Sequence, residues 1–214
     1  MAFLSLAEVA KFLSTDVNSA PQVVNGKYFF VSVPEDIRPV IDTSPTDKKK
    51  WAVLRRYCYE FMKGEVPKDK NGTLLDVGIG PAQFRELYEH MQVVGIDLYA
   101  YPNAQVISDI SQPLPLKDAI FDVVFASNII EHLYRPKDAL MEYARVLKTG
   151  GRVIGAVPFL IGVHQSPYDF FRYTHFALEQ MLSDAGFEDI KIVPLGMPLD
   201  TYIQTQTKFF ALLD

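Results

Sequence analysis

The stretch at residues 73–81, T-L-L-D-V-G-I-G-P, limits the possible folds more than any other part of the chain. Thr73 to Asp76 read as a buried strand, which Gly78 and Gly80 then break. Phe84, Leu87, Tyr88 and Met91 follow at helical spacing and predict a helix over residues 82–90. Strand, glycine turn and helix in this order bring backbone N–H groups up to a ligand. From there the chain alternates. Strands are expected over residues 92–97, 104–108, 121–127, 152–157 and 189–194, and helices over residues 136–148 and 176–185. The first of those helices opens on Pro136 and stops at Gly150-Gly151. The link from Asp97 to Ala104 is too short for a full crossover helix. Alternating elements with strands this apolar imply an α/β fold, doubly wound, with a mostly parallel sheet and helices on both faces.

Residues 1–70 read as an N-terminal elaboration that packs on or lids a core at residues 71–214. Residues 3–14 are apolar except for Ser5, Glu8, Lys11 and Ser14, as in a packed helix with one wet edge. Residues 22–33 form an expected β-hairpin around Asn25-Gly26. Ser44-Pro45, with Asp47 in the first turn, opens a helix striped by Trp51, Leu54, Cys58, Phe61 and Met62. The usual last strand of such a sheet is sought at residues 205–213.

Nearly half of the residues are apolar, so a sizeable core can form, and the net charge of −5 argues against a nucleic-acid partner. A single cysteine, Cys58, suits a reducing, cytoplasmic setting. No apolar run is long enough to span a bilayer.

Asp76, Asp97 and Asp109 end three successive strands, and a parallel sheet sets such ends along one edge, where these folds bind ligands. Asp97, about twenty residues beyond the glycine turn, suits a ribose diol. Asp109 can accept from the exocyclic amine of a purine, and Leu98 offers the base an apolar surface. A dinucleotide fingerprint would place glycine at position 83, where the chain has Gln83. An acid two residues before the first glycine repels a pyrophosphate and attracts an ammonium or sulfonium. That sign favours S-adenosylmethionine over a nicotinamide dinucleotide.

The ordered set L-L-D-V-G-I-G-P-A-Q-F, V-G-I-D-L, S-D-I, F-D-V-V-F-A-S-N-I-I-E-H-L and R-V-L-K-T-G-G-R-V-I-G-A-V-P resembles class I, Rossmann-like, S-adenosylmethionine-dependent methyltransferases. Within them it is similar to the small-molecule and glycan-modifying branch. The resemblance implies that Asp76, Gly78 and Gly80 bracket the methionine moiety and that Asp97 holds the ribose. It implies that Asp109 with Ile110 meets the adenine, and that Ser127 and Asn128 line the methionine side. Ala82 stands where many relatives carry a third glycine, and Thr149 where many carry proline; a methyl group at position 82 should narrow the loop only slightly.

The segment P-F-L-I-G-V-H-Q-S-P-Y-D-F-F-R-Y-T-H, residues 158–175, lies where such an enzyme builds its acceptor pocket. A hydroxyl acceptor needs a base near neutral pH. His164 is the preferred base, with Asp169 and His132 as further catalytic candidates. Tyr168, Arg172 and Tyr173 are candidate acceptor contacts. The H-x-x-P-x-D-x-x-R-Y-T pattern tilts the acceptor toward a sugar hydroxyl, as in enzymes of polysaccharide biosynthesis. No metal is expected, since no His/Asp/Glu group shows ligand spacing along the sequence. The reading is therefore methyl transfer to an oxygen, less readily a nitrogen, of a small-molecule or glycan acceptor. Alternatives are a nicotinamide-dependent oxidoreductase on a similar fold and a non-catalytic cofactor-binding protein.

Overall fold

A computed structural model of the chain describes residues 4–15, 20–32, 48, 51–69, 71–197, 199–200 and 202. Its centre is a mixed sheet in the order β1-β2-β5-β4-β3-β6-β7. The strands are β1 (Gln22–Val24), β2 (Lys27–Phe29), β3 (Thr73–Val77), β4 (Gln92–Asp97), β5 (Val106–Ile107), β6 (Phe121–Ser127) and β7 (Leu147–Ala156). All neighbours run parallel except β1 and β2. The expected hairpin forms around Asn25-Gly26 and joins the sheet, β2 lying alongside β5.

Side chains alternate across each central strand, so one strand feeds two cores. On one face Leu75, Val77, Val124 and Ala126 pack against α3 (Pro136–Val146) and α4 (His175–Asp184). Val9 of α1 (Leu6–Val9) and Phe12 join that core, which ties the N-terminal segment to the sheet. On the other face Leu74, Val123 and Phe125 pack against Tyr59 and Met62 of α2 (Val53–Glu65). A sheet covered on both sides by separate apolar layers is the doubly wound arrangement that the apolar strands imply.

Four details depart from the expected elements. Residues 82–90 form turns and a short 3-10 segment at Arg85–Leu87 instead of an α-helix, because Ala82 sits at φ +56° and turns the chain out of helical register. Leu87, Tyr88 and Met91 are buried all the same, so the apolar spacing reports burial here without reporting helix. The helix from Pro136 ends at Val146, since Leu147 is already extended and opens β7 opposite Phe121; residues 148–151 then bulge before Arg152 pairs with Val123. Residues 189–194 form no strand, Asp189 being at φ +52° with no ladder partner among the described residues. Trp51 precedes α2 and packs edge-on against Tyr59 and Phe84. The expected cap at Ser44-Pro45 and the last strand at residues 205–213 lie outside the described residues. Among the described residues no helix is long and apolar enough to cross a membrane.

Candidate active site

Parallel pairing sets Leu75, Asp76 and Val77 beside Val94, Gly95 and Ile96, and Asp97 beside Ile107. Asp76, Asp97 and Asp109 therefore lie along the C-terminal border of β3, β4 and β5. Gly78 at φ +64° and Gly80 at φ +48° turn the chain across this border. The Gly78 N–H donates to the Ile96 carbonyl (2.8 Å), and the Gly80 N–H donates to Asp97 Oδ2 (2.9 Å). Asp97 Oδ1 accepts from the Tyr99 N–H at 2.9 Å. Both Asp97 oxygens thus take backbone donors and keep acceptor capacity. A Cβ on Gly78 would fall 2.1 Å from Ile129 Cδ1, so glycine here serves both the positive φ and the close approach of Ile129.

Asp76 is buried, and the Tyr88 hydroxyl donates to its Oδ2. Burial pushes its carboxyl up to about 7, the Tyr88 hydrogen bond opposing and the Asp97 charge reinforcing that rise. Asp97 is also raised, chiefly by burial. Two buried acids side by side, answered by a neutral hydroxyl and backbone N–H groups, make a place suited to a cation and hostile to phosphate. Leu98 and Tyr99 are exposed beside Asp97 and offer apolar surface. Asp109 Oδ1 accepts from the N–H and hydroxyl of Ser111, while Ile110 packs against the core. Ser127 ends β6, and Asn128, at φ +58°, donates its N–H to the Ala156 carbonyl.

Four residues beyond Ser127 the chain enters a second cluster. Glu131 is fully buried, and neither carboxylate oxygen has a hydrogen-bond partner. Burial, its largest influence, raises its carboxyl to about 7. The His132 and His164 rings meet edge to face with centroids 4.8 Å apart. Their Nε2 atoms lie 3.6 Å and 3.9 Å from Glu131 Oε1. His132 Nδ1 is 2.5 Å from the Tyr168 carbonyl, and burial holds this imidazole below its ordinary range. Sequence spacing hides the group because His164 is remote in the chain. Contrary to the expectation that no such ligand set exists, one donor atom from each of Glu131, His132 and His164 gathers within 4.8 Å of the others.

The acceptor segment is held from within. Arg172 grips Asp169 through both terminal nitrogens (2.7 and 2.8 Å) and also donates to the carbonyls of Ile161, Gly162 and Phe171. Asp169 Oδ2 further accepts from the His164 N–H at 2.8 Å. The Arg172 hydrogen bonds hold the Asp169 carboxyl well below the usual range. Arg172 and Asp169 are thus spent on shaping the segment, and Asp169 orients His164. Tyr173, expected to touch an acceptor, is instead buried in the core with its hydroxyl on the Ile130 carbonyl, because the chain is already turning into α4. Tyr168, by contrast, is exposed. The residues missed by sequence are Glu131, Tyr88 and Ile129. Glu131 alone had a signal: an acid inside the apolar run N-I-I-E-H-L. Two shallow concavities beside α2, lined by residues such as Trp51, Tyr57 and His90, contain none of these groups.

A mixed, mostly parallel sheet with a glycine turn and an acidic border at its C-terminal strand ends is the arrangement on which α/β folds bind nucleotide-type ligands. The sequence model of the Methyltransf_11 family, a methyltransferase domain, matches residues 75–155, from inside β3 to the end of β7. The chain is 24% identical over 193 residues to phosphatidylethanolamine N-methyltransferase of Cereibacter sphaeroides, covering 73% of this chain and 93% of that one. It is 26% identical over 174 residues to an uncharacterized protein of Methanocaldococcus jannaschii, covering 71% and 82% respectively. The crystal structure of an S-adenosylmethionine-dependent methyltransferase from Aquifex aeolicus shares the fold, with TM-score 0.55 at 20% identity, over 71% of this chain and 89% of that one. The matched model and these relatives support an S-adenosylmethionine-dependent methyltransferase, S-adenosylmethionine being the methyl donor that the family implies. The oxidoreductase alternative falls with this match.

Proposed function

We propose that the enzyme methylates an oxygen, less readily a nitrogen, of a small-molecule or glycan acceptor in a reducing, cytoplasmic setting. Bound S-adenosylmethionine supplies a methyl group on a sulfonium sulfur, which a nucleophile takes while the carbon–sulfur electron pair stays on sulfur. The buried acid pair fits that cofactor: Asp76 faces its ammonium, with Gly78, Gly80, Ser127 and Asn128 around the methionine chain. Asp97 takes the ribose hydroxyls on its remaining lone pairs. Leu98, Asp109 and Ile110 meet the adenine, with Tyr99 as an added apolar wall.

One observation carries the assignment of the acceptor end. Ile129 lies against Gly78, and two and three residues further on Glu131 and His132 join His164. A single short stretch therefore links the methyl-donor end of the cofactor site to a group of lone-pair donors able to draw a proton from a hydroxyl. Exposed Tyr134, Tyr168 and Phe170 border this region and suit an acceptor with apolar faces, such as a sugar ring.

The test is His164→Ala assayed against a panel of hydroxyl and amine acceptors. The expected outcome is a fall in methylation rate of about 10²–10⁴, the range of acid–base assistance, with S-adenosylhomocysteine affinity unchanged by calorimetry. An unaltered rate would make His164 structural, and products carrying the methyl only on nitrogen would overturn the oxygen assignment.

A further inference from the structure

We propose that Glu131, His132 and His164 bind one divalent first-row cation, placed to ligate the hydroxyl of the methyl acceptor. The proposal rests on the acceptor lying at this cluster and goes beyond it by naming what activates the oxygen.

The argument is one of lone pairs. His132 Nδ1 sits 2.5 Å from the Tyr168 carbonyl, an acceptor, so the proton is on Nδ1 and the Nε2 lone pair is bare. That Nε2 is buried and has no hydrogen-bond partner. His164 Nδ1 is flanked by Gly162 O and Asp169 Oδ2, each at 3.3 Å, with Arg172 Nη2 the one donor there, at 3.4 Å. With the proton between those two oxygens, its Nε2 lone pair also turns toward Glu131. The Glu131 carboxylate adds two further unpartnered oxygens at 0% exposure. Two imidazole nitrogens and a buried carboxylate converge, which is the electronic description of a cation site. The Arg172 guanidinium is hydrogen-bonded to Asp169 and carbonyls, and where its charge favours the Glu131 carboxylate the Asp169 charge opposes it.

The surroundings fit a metal's second layer. Ligating imidazoles usually donate their other N–H to a carbonyl or carboxylate, and here Tyr168 O and Asp169 stand in those places. Two imidazoles with one carboxylate suit zinc or iron(II) and leave positions open for a substrate oxygen. Metal–ligand bonds of roughly 2.0–2.2 Å set neighbouring ligand atoms about 3.3–3.5 Å apart in a tetrahedral site. The observed 3.6 and 3.9 Å spacings to Glu131 close to this with small side-chain rotations. An acceptor hydroxyl entering an open position becomes more acidic; its O–H bond breaks, the proton passes to water, and the oxygen keeps the electron pair for attack on the methyl carbon.

The experiment uses the full, tag-free chain stripped with chelator and titrated by calorimetry with Zn²⁺, Mn²⁺ and Co²⁺, the Co²⁺ titration also followed by its visible absorbance. One cation per chain is expected. Glu131→Gln and His132→Ala should each weaken binding beyond the roughly 10- to 100-fold typical of losing an outer partner, and Asp169→Asn within that range. Retained S-adenosylhomocysteine binding shows that each variant is folded. Failure of the stripped chain to bind any of these cations, or binding that Glu131→Gln leaves intact, overturns the site. Methylation of a hydroxyl that persists in excess chelator also overturns the site while leaving the acceptor assignment standing. A bound cation with methyl transfer only to nitrogen does the reverse.

Discussion

At the scale of single residues, Asp76 holds the most informative charge. An ordinary Asp loses its proton near pH 3.9; here burial holds the proton on until about pH 7. The cofactor-free native state therefore binds one more proton than the unfolded chain between those values, and its stability falls as pH rises through that window. A cationic ligand reverses the preference, because an ammonium beside the carboxyl favours its ionised form. Cofactor binding should then expel a proton below about pH 7. S-adenosylhomocysteine affinity is expected to rise as pH climbs from 6 to 7, by up to about tenfold per unit, and to level off above. Calorimetry in buffers of differing ionisation enthalpy checks this. Asp76→Asn should flatten the profile, and a flat profile in the wild type would remove Asp76 from the cofactor's ammonium. Ala82 teaches a related lesson: its methyl group matters less for the space it fills than for the φ of +56° that it must tolerate, a conformation in which glycine is unstrained.

At the scale of elements, the turn after β3 works without a helix behind it. Its rigidity comes instead from Asp97, which ties Gly80 to the end of β4, and from Ile129, which lies over Gly78. Gly78→Ala adds a Cβ that meets Ile129 Cδ1 and forces an L side chain to φ +64°, a conformation costing roughly 1–2 kcal/mol. Thermal unfolding should show at least that loss, with weaker S-adenosylhomocysteine binding. Ile129→Val in the same chain removes the colliding methyl and should recover part of the loss, the remainder being the backbone strain. Full recovery would mean that the positive φ costs nothing here. These elements also show what sequence can carry. β4 and β6 were legible to the residue and β3 to within one, because largely apolar runs closed by Asp or Ser leave little choice. The 82–90 segment was not, since its buried positions satisfy a helical period while Ala82 prevents the helix. The acidic border was legible from strand ends alone. Of the Glu131–His132–His164 cluster the two histidines were legible as rival bases, but Glu131 as their partner was not, because nothing local reports how closely the loop after β7 folds back over the end of β6.

At the scale of the whole molecule, the N-terminal elements and the cofactor border are mechanically joined. β2 extends the sheet beside β5, and Lys27 reaches past that edge to donate to the carbonyls of Tyr101 (2.7 Å), Pro102 (3.2 Å) and Ala104 (2.6 Å). Those carbonyls belong to the loop that leaves Asp97 and carries Leu98 and Tyr99. One ammonium thus fixes the curvature of the loop proposed to receive the adenosine, and burial lowers its own pKa without removing its role as a donor. The β1–β2 hairpin is accordingly placed to act on the proposed adenosine loop through Lys27 and the sheet edge. Lys27→Met keeps the aliphatic stem and deletes the donors, leaving three carbonyls to water. Hydrogen bonds to a charged group are worth about 1.5–3 kcal/mol, so stability should drop by an amount of that order. Hydrogen exchange across residues 98–104 should quicken, and S-adenosylhomocysteine affinity should fall several-fold although position 27 touches none of the proposed cofactor contacts. Faster exchange with unchanged affinity would show that the loop's order is dispensable for binding, and that the hairpin serves the sheet alone.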